Sequence, residues 1–555
     1  MKRRLLYDEI DWISAHRAVF LMQQEIAVAY NLNDKKLVHK LQERLVRSFA
    51  SRAISVRRVA TNIGNKTSGV DNVIWNTKEK TMLAINELKD LRHYIAKPVR
   101  RVFIPKKDRK LRPLGIPTMF DRAVQALYAL SLAPLAECIA DSRSYGFRPY
   151  HGVHDAAIYI KLVLGSYTNN KRYILEGDIS KFFDKISHDW FLENIPMDKR
   201  ILTQFLKAGF MEGKQLHLTT EGIPQGGVIS PMIANMALDG LELLMQKNGF
   251  IAVRYADDFV VFGKTEDSLR FVAMPLIETF LSIRGLQLNV TKTLVTSMVE
   301  GFDFLGFNFR EYADISRVSG TKKGIFLVKP TSKSVINIRA KIKNTIRDYR
   351  NKSMYMLVTK LNQVIRGWAE HYRTVTSKKI FTSIGAYVWN TMWAMLKRKH
   401  RRMPSRLLKS KYFKSVDGNH WVFFCPDSKN KVMTLFQIGW VSIKRHSICK
   451  SINPFLPENE DYFKKRKRNQ TKHSLKLSKK ALRLASNQGG ICVVCKQPLI
   501  NEEVIEIHHV IPRKRGGSDV PSNLKLLHKA CHKQVTYSKS IKLRAAWLRD
   551  GIISC

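Results

Sequence analysis

The spacing of apolar residues divides the chain into helical and strand-rich stretches. In the first 75 residues, and again from about 330 to 410, apolar residues recur every three or four positions, which predicts amphipathic helices. The N-terminal set is Ile26, Leu37, Leu41, Leu45 and Phe49, and the later region has three sets: Val335, Ile338, Ile342 and Ile346; Leu357, Leu361, Val364, Ile365 and Trp368; and Phe381, Ile384, Val388, Met392 and Leu396. Between these regions, short apolar runs bounded by turn residues predict strands.

The sequence RYADDFVVF at residues 254–262 contains two apolar runs separated by Ala-Asp-Asp. Because Asp favours tight turns, this pattern predicts a β-hairpin whose tip carries Asp257 and Asp258. Two adjacent carboxylates repel each other by about 1 kcal/mol or more at a protein surface. Mg²⁺, which prefers oxygen ligands, would relieve this repulsion. Taken alone, the hairpin is equally compatible with an exposed turn that binds no metal.

A further carboxylate follows another predicted strand. The apolar residues 173–175 lead to Asp178, so its side chain is expected at a strand end that faces the hairpin tip. Carboxylates presented by two strands are typical of two-metal sites for phosphoryl transfer, where the ions activate the attacking oxygen and stabilise the leaving one. We therefore expect Asp178, Asp257 and Asp258 to bind two Mg²⁺ ions.

The overall charge favours a polyanionic partner. The 555 residues include 95 Lys+Arg and 46 Asp+Glu, a net charge of +49. Nucleic acid suits this charge, because each neutralised phosphate releases counterions. A basic membrane-surface protein is the alternative, but no apolar run reaches about 18 residues and no signal peptide is recognisable at the start. We therefore expect nucleic acid as the partner and no membrane.

Together with the Asp178 strand, the Tyr-Ala-Asp-Asp sequence at 255–258 resembles the active-site motif of reverse transcriptases. Residues 100–122 and 144–156 match that family's fingers motifs in order, and residues 285–309 complete a palm. The sequence LNQVIRGWAEHYR at 361–373 resembles the maturase domain X. The chain is thus similar to group II intron-encoded proteins, which implies an RNA-directed DNA polymerase bound to its intron RNA as a ribonucleoprotein. The resemblance also implies a location in the cytoplasm or nucleoid of a bacterium or, alternatively, in an organelle.

Two predicted strands within residues 100–122 flank a basic turn, an arrangement by which a polymerase presents cations to an incoming triphosphate. Lys106 and Arg112 are the candidates there, and the planar fork of Arg112 suits phosphate oxygens. Gln225 is a candidate for nucleotide contact from the Gly-rich loop at 221–231. That loop leads to a predicted helix at 232–245, with Ser230 as its N-cap.

The resemblance implies two further contacts with the incoming dNTP. Phe183 lies five residues after Asp178, where an aromatic ring in related polymerases excludes a 2′-hydroxyl and so selects deoxynucleotides. Lys292 is a candidate for assisting the departure of pyrophosphate. A core aromatic is the alternative interpretation of Phe183, and a solvated surface lysine is that of Lys292.

The last eighty residues contain two pairs of possible metal ligands. Cys492 and Cys495 form one pair, and His528 and Cys531 form the other, each with two residues between its members. This spacing is typical of a tetrahedral Zn²⁺ site with a structural role. The remaining cysteines are scattered, which favours metal-binding thiols in a reducing compartment over a disulfide framework.

The residues between these pairs, at 506–528, resemble the HNH endonuclease motif. The resemblance implies that His509 is the general base, that His508 and His532 bind a catalytic divalent ion, and that Asn523 fixes the loop of the base. The family usually has Cys at the position of His528, although histidine also binds zinc. A structural zinc finger that binds DNA is the alternative, but it does not explain His508, His509 or Asn523.

The expected fold is a multidomain α/β and α protein: a right-hand polymerase with fingers, palm and helical thumb, followed by a ββα-metal nuclease domain. The expected domains are an N-terminal helical RNA-binding extension at 1–75, fingers and palm at 76–310, a thumb or domain X at 311–410, a DNA-binding region at 411–475 and an HNH domain at 476–555. The basic run at 464–468 suits either DNA contact or a linker, and the aromatic residues before it favour DNA.

These features favour a multifunctional intron protein. It would perform target-primed reverse transcription, assist intron splicing as a maturase, and nick a double-stranded DNA target to make the primer. One alternative is a splicing-only maturase with a vestigial polymerase, although all three aspartates are present. Another is a different bacterial reverse transcriptase such as a retron enzyme, which would normally lack domain X and HNH.

Overall fold

The structure is a computed structural model of the chain. It describes residues 6–105, 111–166, 170–312, 324–416, 418–426, 432–472, 477–501 and 503–554. Lys106, a predicted triphosphate contact, lies outside the described residues. No helix within these ranges is long and apolar enough to cross a membrane.

The N-terminal part of the chain is helical, as its apolar spacing predicts. Its helices are α1 (Trp12–Asn31), α2 (Lys35–Arg47), α3 (Phe49–Thr61) and α4 (Lys78–Glu87). Ile26 and Leu45 are fully buried, whereas Leu37 is exposed. Asp11 caps the first helix, because its side chain accepts hydrogen bonds from the backbone N–H groups of Ile13 and Ser14.

Residues 99–297 form a mixed α/β region. Its elements are β1 (Val99–Pro105), β2 (Leu111–Ile116), α5 (Met119–Ile139), α6 (Val153–Leu164), β3 (Tyr173–Gly177), α7 (Phe182–Lys185), α8 (His188–Asn194), α9 (Lys199–Lys207), β4 (Phe210–Glu212), β5 (Gln215–His217), α10 (Ser230–Ala237), α11 (Leu241–Lys247), β6 (Ile251–Tyr255), β7 (Asp258–Gly263), α12 (Glu266–Ser268), α13 (Met274–Ser282) and β8 (Leu294–Ser297). The long helix α5 packs against α1, α2 and α3.

Two four-stranded sheets lie in this region. One has the order β2-β1-β4-β5, and its β1–β2 pair confirms the two strands predicted around the basic turn. The other has the order β6-β7-β3-β8 and is antiparallel throughout. Its β6–β7 pair confirms the predicted hairpin, since Tyr255 pairs with Asp258 across a two-residue turn.

The single helix predicted at 232–245 is wrong. Helix α10 ends at Ala237, α11 begins at Leu241, and Gly240 between them has a left-handed φ of 96°. The break leaves Asp239 buried against Arg254, so a tertiary ion pair overrides the helical periodicity. The predicted N-cap is also shifted by one residue, because α10 begins at Ser230 itself and no side chain caps it.

The next region confirms the three predicted helices. Its elements are β9 (Phe302–Phe304), β10 (Phe307–Tyr312), β11 (Ile325–Pro330), α14 (Ser332–Tyr349), α15 (Met354–Tyr372), α16 (Lys378–Lys399) and α17 (Ser405–Tyr412). The β9–β10 turn is held by α15, because the Tyr372 hydroxyl donates to the Gly306 carbonyl at 3.1 Å. The helical layer is thereby tied to the sheet at 302–330.

The C-terminal part starts with a stretch whose sequence shows no periodicity, yet it contains a three-stranded sheet and a helix. Its elements are β12 (Phe413–Val416), β13 (Asn419–Pro426), β14 (Val432–Thr434), α18 (Glu460–Lys472), α19 (Lys479–Asn487), β15 (Ile505–His509), β16 (Leu524–His528), α20 (Lys529–Tyr537) and α21 (Ile541–Arg549). The antiparallel β15–β16 pair followed by α20 is a ββα unit.

The last eighty residues share a hydrophobic core with the rest of the chain. One cluster of buried residues extends from Trp12 and the α5 helix to Leu527 and Val535 of the ββα unit. A second cluster joins the outer face of the β6-β7-β3-β8 sheet to helices α14–α16. The ββα unit is therefore packed onto the N-terminal helices, a relationship that the apolar pattern alone does not predict.

Candidate active sites

The three predicted aspartates lie at one edge of the β6-β7-β3-β8 sheet. Asp257 occupies the β6–β7 turn and Asp258 begins β7. Gly177 pairs with Phe259 in the antiparallel β3–β7 register, so Asp178, the next residue, lies opposite Asp258. Residue 177 must be glycine, because a Cβ there would lie 2.1 Å from the Phe259 ring. The strand register thus brings Asp178 close to Asp257 and Asp258, which lie 79 and 80 positions later in the sequence.

The Asp257 turn is supported from behind by a loop at 143–148. A Cβ on Gly146 would lie 2.2 Å from the backbone nitrogen of Ala256, so only glycine allows this approach. The Tyr145 N–H donates to the Arg254 carbonyl at 2.9 Å. Ala256 itself has a left-handed φ of 58°, which the surrounding contacts hold in place.

The buried Arg254 side chain connects the turn to helix α10. Its Nη1 donates to Asn235 Oδ1 at 2.7 Å, and its Nη2 forms an ion pair with Asp239. Sequence reasoning missed these supporting residues. The signal was an arginine inside an otherwise apolar strand, which requires buried partners.

The electrostatics of the aspartates suit a site for cations. Burial and the Asp178 charge raise the pKa of Asp257, partly offset by Arg112 and Lys292. Asp258 is exposed, but the surrounding protein removes part of the water around its carboxylate. This desolvation, together with the Asp257 and Asp178 charges, raises the pKa of Asp258 to about 6. The repulsion expected from the sequence is therefore present, and oxygen ligands under such repulsion fit Mg²⁺.

Lys292 and Asn289 contact Asp178 directly. Lys292 Nζ lies 2.9 Å from Asp178 Oδ2, and Asn289 Nδ2 donates to the same oxygen at 3.0 Å. The Asn289 backbone N–H also donates to the Asp178 carbonyl at 2.8 Å. Lys292 was predicted from the sequence, whereas Asn289 was not, although it lies only three residues earlier.

The other predicted nucleotide contacts lie on β2, on the loop at 221–231 and on α7. Arg112 is exposed on β2 and is close enough to act on the pKa of Asp257. The Gln225 carbonyl accepts a hydrogen bond from the Gly115 N–H at 2.7 Å, so the loop at 221–231 is fixed to β2. Phe183 is half-buried, while its neighbour Phe182 is only 3% exposed. An exposed face is thus left on Phe183 and not on Phe182.

A second site lies in the C-terminal region. Among the described residues, only Cys492, Cys495, His528 and Cys531 bring three or more possible ligand atoms within 4.8 Å of one another. All four side chains are fully buried. His528 Nε2 bonds the Pro498 carbonyl at 3.0 Å, which directs Nδ1 to the cluster, 3.3 Å from Cys495 Sγ. Three thiols and an oriented imidazole fit tetrahedral Zn²⁺, and the histidine at 528 is accommodated.

The predicted nuclease residues lie beside this cluster. His508 and His532 have ring centroids 5.2 Å apart, and His532 Nδ1 contacts Glu506 Oε2 at 2.8 Å. His508 Nε2 bonds the Ile552 carbonyl at 2.9 Å, and burial lowers its pKa. Sequence reasoning missed Glu506. Its position two residues before His508, on the same face of a strand, was the available signal.

His509 is the last residue of β15, and Asn523 directly precedes β16. The two residues therefore lie at the two ends of the loop that connects these strands. His509 Nε2 bonds Asp519 Oδ1 at 2.8 Å, and Arg513 also contacts both residues. The Asn523 side chain accepts from the Ile511 N–H at 2.7 Å and donates to the Ser518 carbonyl at 2.8 Å. Asn523 therefore bridges the loop that follows His509, as its predicted role requires.

Comparison with known protein families agrees with this arrangement. The family described as N-terminal domain of reverse transcriptase matches residues 7–88, and reverse transcriptase (RNA-dependent DNA polymerase) matches residues 104–309. The maturase-specific domain of group II introns matches residues 335–413, and HNH endonuclease matches residues 492–538.

Several individual proteins are also similar to this chain in sequence. Protein YkfC of Escherichia coli is 32% identical over 338 residues, which is 51% of this chain and 86% of that protein. Group II intron-encoded protein LtrA of Lactococcus lactis is 36% identical over 198 residues, 34% of this chain and 32% of LtrA. Maturase-like protein 1 of Euglena gracilis is 26% identical over 66% of this chain and 77% of its own length.

The four matched families follow one another along the chain without overlap. The reverse transcriptase match contains all three aspartates, and the HNH match contains the Cys/His cluster with His508, His509, Asn523 and His532. The chain belongs to the group II intron-encoded proteins, and it is a reverse transcriptase and HNH endonuclease that also carries a maturase domain.

Proposed function

We propose that this protein copies its own intron RNA into a DNA target, using as primer a strand that its nuclease domain has nicked. The observation that carries the proposal is the assembly of Asp178, Asp257 and Asp258 at one sheet edge in a chain that also holds the ββα unit with His508 and His509. One site polymerises and the other supplies a 3′-hydroxyl.

At the polymerase site, Asp178, Asp257 and Asp258 would hold two Mg²⁺ ions, which supply charge neutralisation and Lewis acidity for in-line phosphoryl transfer. Arg112 would bind triphosphate oxygens through its planar fork. Lys292, now on Asp178, would move to the departing pyrophosphate as Asp178 takes up its ligand role.

The remaining nucleotide contacts would select the substrate. Phe183 would place its exposed face against the sugar and exclude a 2′-hydroxyl, which makes dNTPs the substrate. Gln225 would contact the nucleotide from the loop that is fixed to β2. Lys106, although outside the described residues, is proposed to act with Arg112 on the triphosphate.

At the nuclease site, His509 would accept the proton of the water that attacks a DNA phosphate. Its Nε2 is bonded to Asp519, so Nδ1 is the nitrogen left for proton transfer. His508 and His532 would hold one divalent ion that stabilises charge on the phosphate. Asn523 keeps the loop after His509 in place, and a structural Zn²⁺ would be held by Cys492, Cys495, His528 and Cys531.

The polynucleotide partners follow from charge and domain order. We assign intron RNA binding to the N-terminal extension at 1–75 and to the thumb at 311–410, and double-stranded DNA binding to the region at 411–475. The polymerase fingers and palm at 76–310 lie between these RNA-binding parts, and the HNH domain at 476–555 follows. A bacterial nucleoid offers both partners in one compartment, as does an organelle.

A single reaction tests this proposal. The purified protein is bound to its intron RNA and incubated with a target duplex labelled at the 5′ end of the strand to be nicked, with all four dNTPs. We expect the labelled strand to be cut and then lengthened by RNA-templated DNA. Lengthening that starts only from an added primer, with no cut in the labelled strand, would contradict it.

A further inference from the structure

A buried arginine from the N-terminal helices reaches into the Cys/His cluster. Arg57 lies on α3, and its side chain is only 3% exposed. Its Nη2 lies 3.1 Å from Cys531 Sγ and 3.3 Å from both carboxylate oxygens of Glu503. Cys531 and Glu503 lie 474 and 446 positions away in the sequence. A residue outside the HNH domain thus contacts one of the four predicted zinc ligands.

The contact between the two ends of the chain extends beyond Arg57. The guanidinium lies over the Trp12 ring, 4.6 Å from its centroid. Gln534 Nε2 donates to the carbonyls of Asp8 and Ile10 at 3.1 and 2.9 Å. The Ser538 hydroxyl donates to the Asp8 carbonyl at 2.9 Å. The segment at residues 8–10 is therefore hydrogen-bonded to helix α20, which also carries Cys531, and to the residue directly after that helix.

Charge gives Arg57 a specific part in this interface. Zn²⁺ with three thiolates and one neutral imidazole has a net charge of −1, and all four ligand side chains are fully buried. A buried charge without a partner is costly. Arg57 supplies the opposite charge together with an N–H donor to a ligand sulfur, and such contacts orient ligands and tune metal affinity. Glu503 anchors the guanidinium, because its carboxylate accepts from the same Nη2 nitrogen.

We propose that Arg57 is a positioning residue for the zinc site and that its bond to Cys531 couples zinc binding to the docking of the HNH domain on the N-terminal helices. This rests on the zinc occupancy proposed above. Zinc in the cluster favours the docked arrangement, because it holds in place the Cys531 sulfur that Arg57 contacts from α3. Loss of zinc releases α20 from the segment at residues 7–12.

The first test compares Arg57→Ala with Arg58→Ala in the full-length protein. Arg58 is the next residue on α3 but is exposed, so it controls for the loss of one positive charge. The rate of zinc transfer to a colorimetric chelator is expected to rise about ten-fold or more in R57A and to stay unchanged in R58A. With Co²⁺ in place of zinc, the thiolate-to-metal charge-transfer absorption is expected to shift in R57A alone, because Cys531 Sγ has lost its donor.

The second test measures docking by amide hydrogen exchange. Peptides covering residues 7–12 and α20 are expected to exchange faster in R57A, and the peptide at residues 7–12 is also expected to exchange faster in the wild-type protein after chelation of zinc. Glu503→Gln is a milder variant for use if R57A fails to fold. It loosens the anchor of Arg57 and is expected to change zinc transfer in the same direction by a smaller factor.

The outcomes separate this inference from the proposed function. Wild-type protein that purifies without about one equivalent of zinc would contradict the zinc site itself, and the coupling with it. One equivalent of zinc, with transfer rate, cobalt spectrum and exchange in R57A and E503Q all matching R58A, would overturn the Arg57 inference alone. Faster zinc transfer with unchanged exchange at residues 7–12 would also overturn the coupling.

Discussion

Lys292 Nζ lies 2.9 Å from Asp178 Oδ2, although the two residues are 114 positions apart. The contact places the Lys292 ammonium beside the Asp178 carboxylate, which belongs with Asp257 to the proposed metal site. A lysine whose side chain is mostly exposed is free to leave such a pair, since exposed ion pairs contribute little. We therefore expect Lys292 to leave Asp178 and to contact the departing pyrophosphate.

Lys292→Ala should slow the addition of a single dNTP. Loss of a proton donor or cation at the leaving group is expected to lower the rate by roughly 10²-fold, while binding of the RNA template is unchanged. Rapid-quench measurement of one nucleotide addition gives this rate. Lys247→Ala, which changes an exposed lysine on α11, is the matched control. Equal rates for both variants would identify Lys292 as a solvated surface residue.

Asp257→Asn should abolish primer extension. The substitution keeps the shape of the turn and removes a charge that would hold Mg²⁺. Assistance to splicing should survive, because it depends on the basic surface and not on the acids. The exposed Asp184→Asn is the control for a lost carboxylate nearby. Primer extension that persists in D257N would contradict the assignment of the polymerase site.

Phe183→Val should increase ribonucleotide incorporation. The half-buried ring is expected to exclude the 2′-hydroxyl, so a smaller side chain should lower the preference for dNTPs by about ten-fold or more. The measurement is the ratio of efficiencies for dNTP and rNTP addition. Phe271→Val, at a ring that is 74% exposed, is the control. An unchanged ratio would show that Phe183 only packs in the core.

Affinity for structured intron RNA should fall steeply with salt. A chain of charge +49 binds mainly by displacing counterions, so the logarithm of affinity should decrease linearly with the logarithm of salt concentration. Filter binding from low to moderate ionic strength gives the slope. A nearly flat plot would mean that shape and base contacts outweigh charge.

Cys495→Ser should unfold the HNH domain and leave the polymerase folded. Structural zinc contributes about 10 kcal/mol or more to domains of this kind. Zinc content and proteolysis of the C-terminal region should both report the loss, with primer extension on a supplied primer retained. Cys138→Ser, at a half-buried thiol outside the cluster, should change neither. A C495S protein that keeps its zinc would disprove this ligand set.

The elements that local chemistry determines were predictable from the sequence. The β6–β7 hairpin follows from two apolar runs around Ala-Asp-Asp, and helices α14–α16 follow from apolar residues at helical spacing. The Cys/His cluster follows from the spacing of its two pairs, including His528. In each case the signal lies within about forty residues of sequence.

The features that the sequence did not predict depend on contacts between residues on different helices and strands. The 232–245 helix is broken because Asp239 pairs with Arg254 on β6, and nothing within the sequence of the helix itself marks that pairing. Arg57 is one of 95 basic residues, and only its burial against Cys531 distinguishes it. Glu506 gains its significance from His532, which is on a different element. Packing of the ββα unit on the N-terminal helices brings Arg57 to Cys531, and the sequence pattern does not encode that packing locally.

The central claim is that the nuclease supplies the primer for the polymerase. The most direct test gives a His509→Ala ribonucleoprotein two targets, one intact and one already nicked at the cleavage position. His509 is proposed to activate water and is not a ligand of the Cys/His cluster, so folding, zinc content and polymerisation should be unchanged. The account predicts that H509A leaves the intact target uncut and extends the nicked target with complementary DNA. Cleavage of the intact target by H509A, or failure to extend the nicked one, would contradict the roles assigned to the two sites.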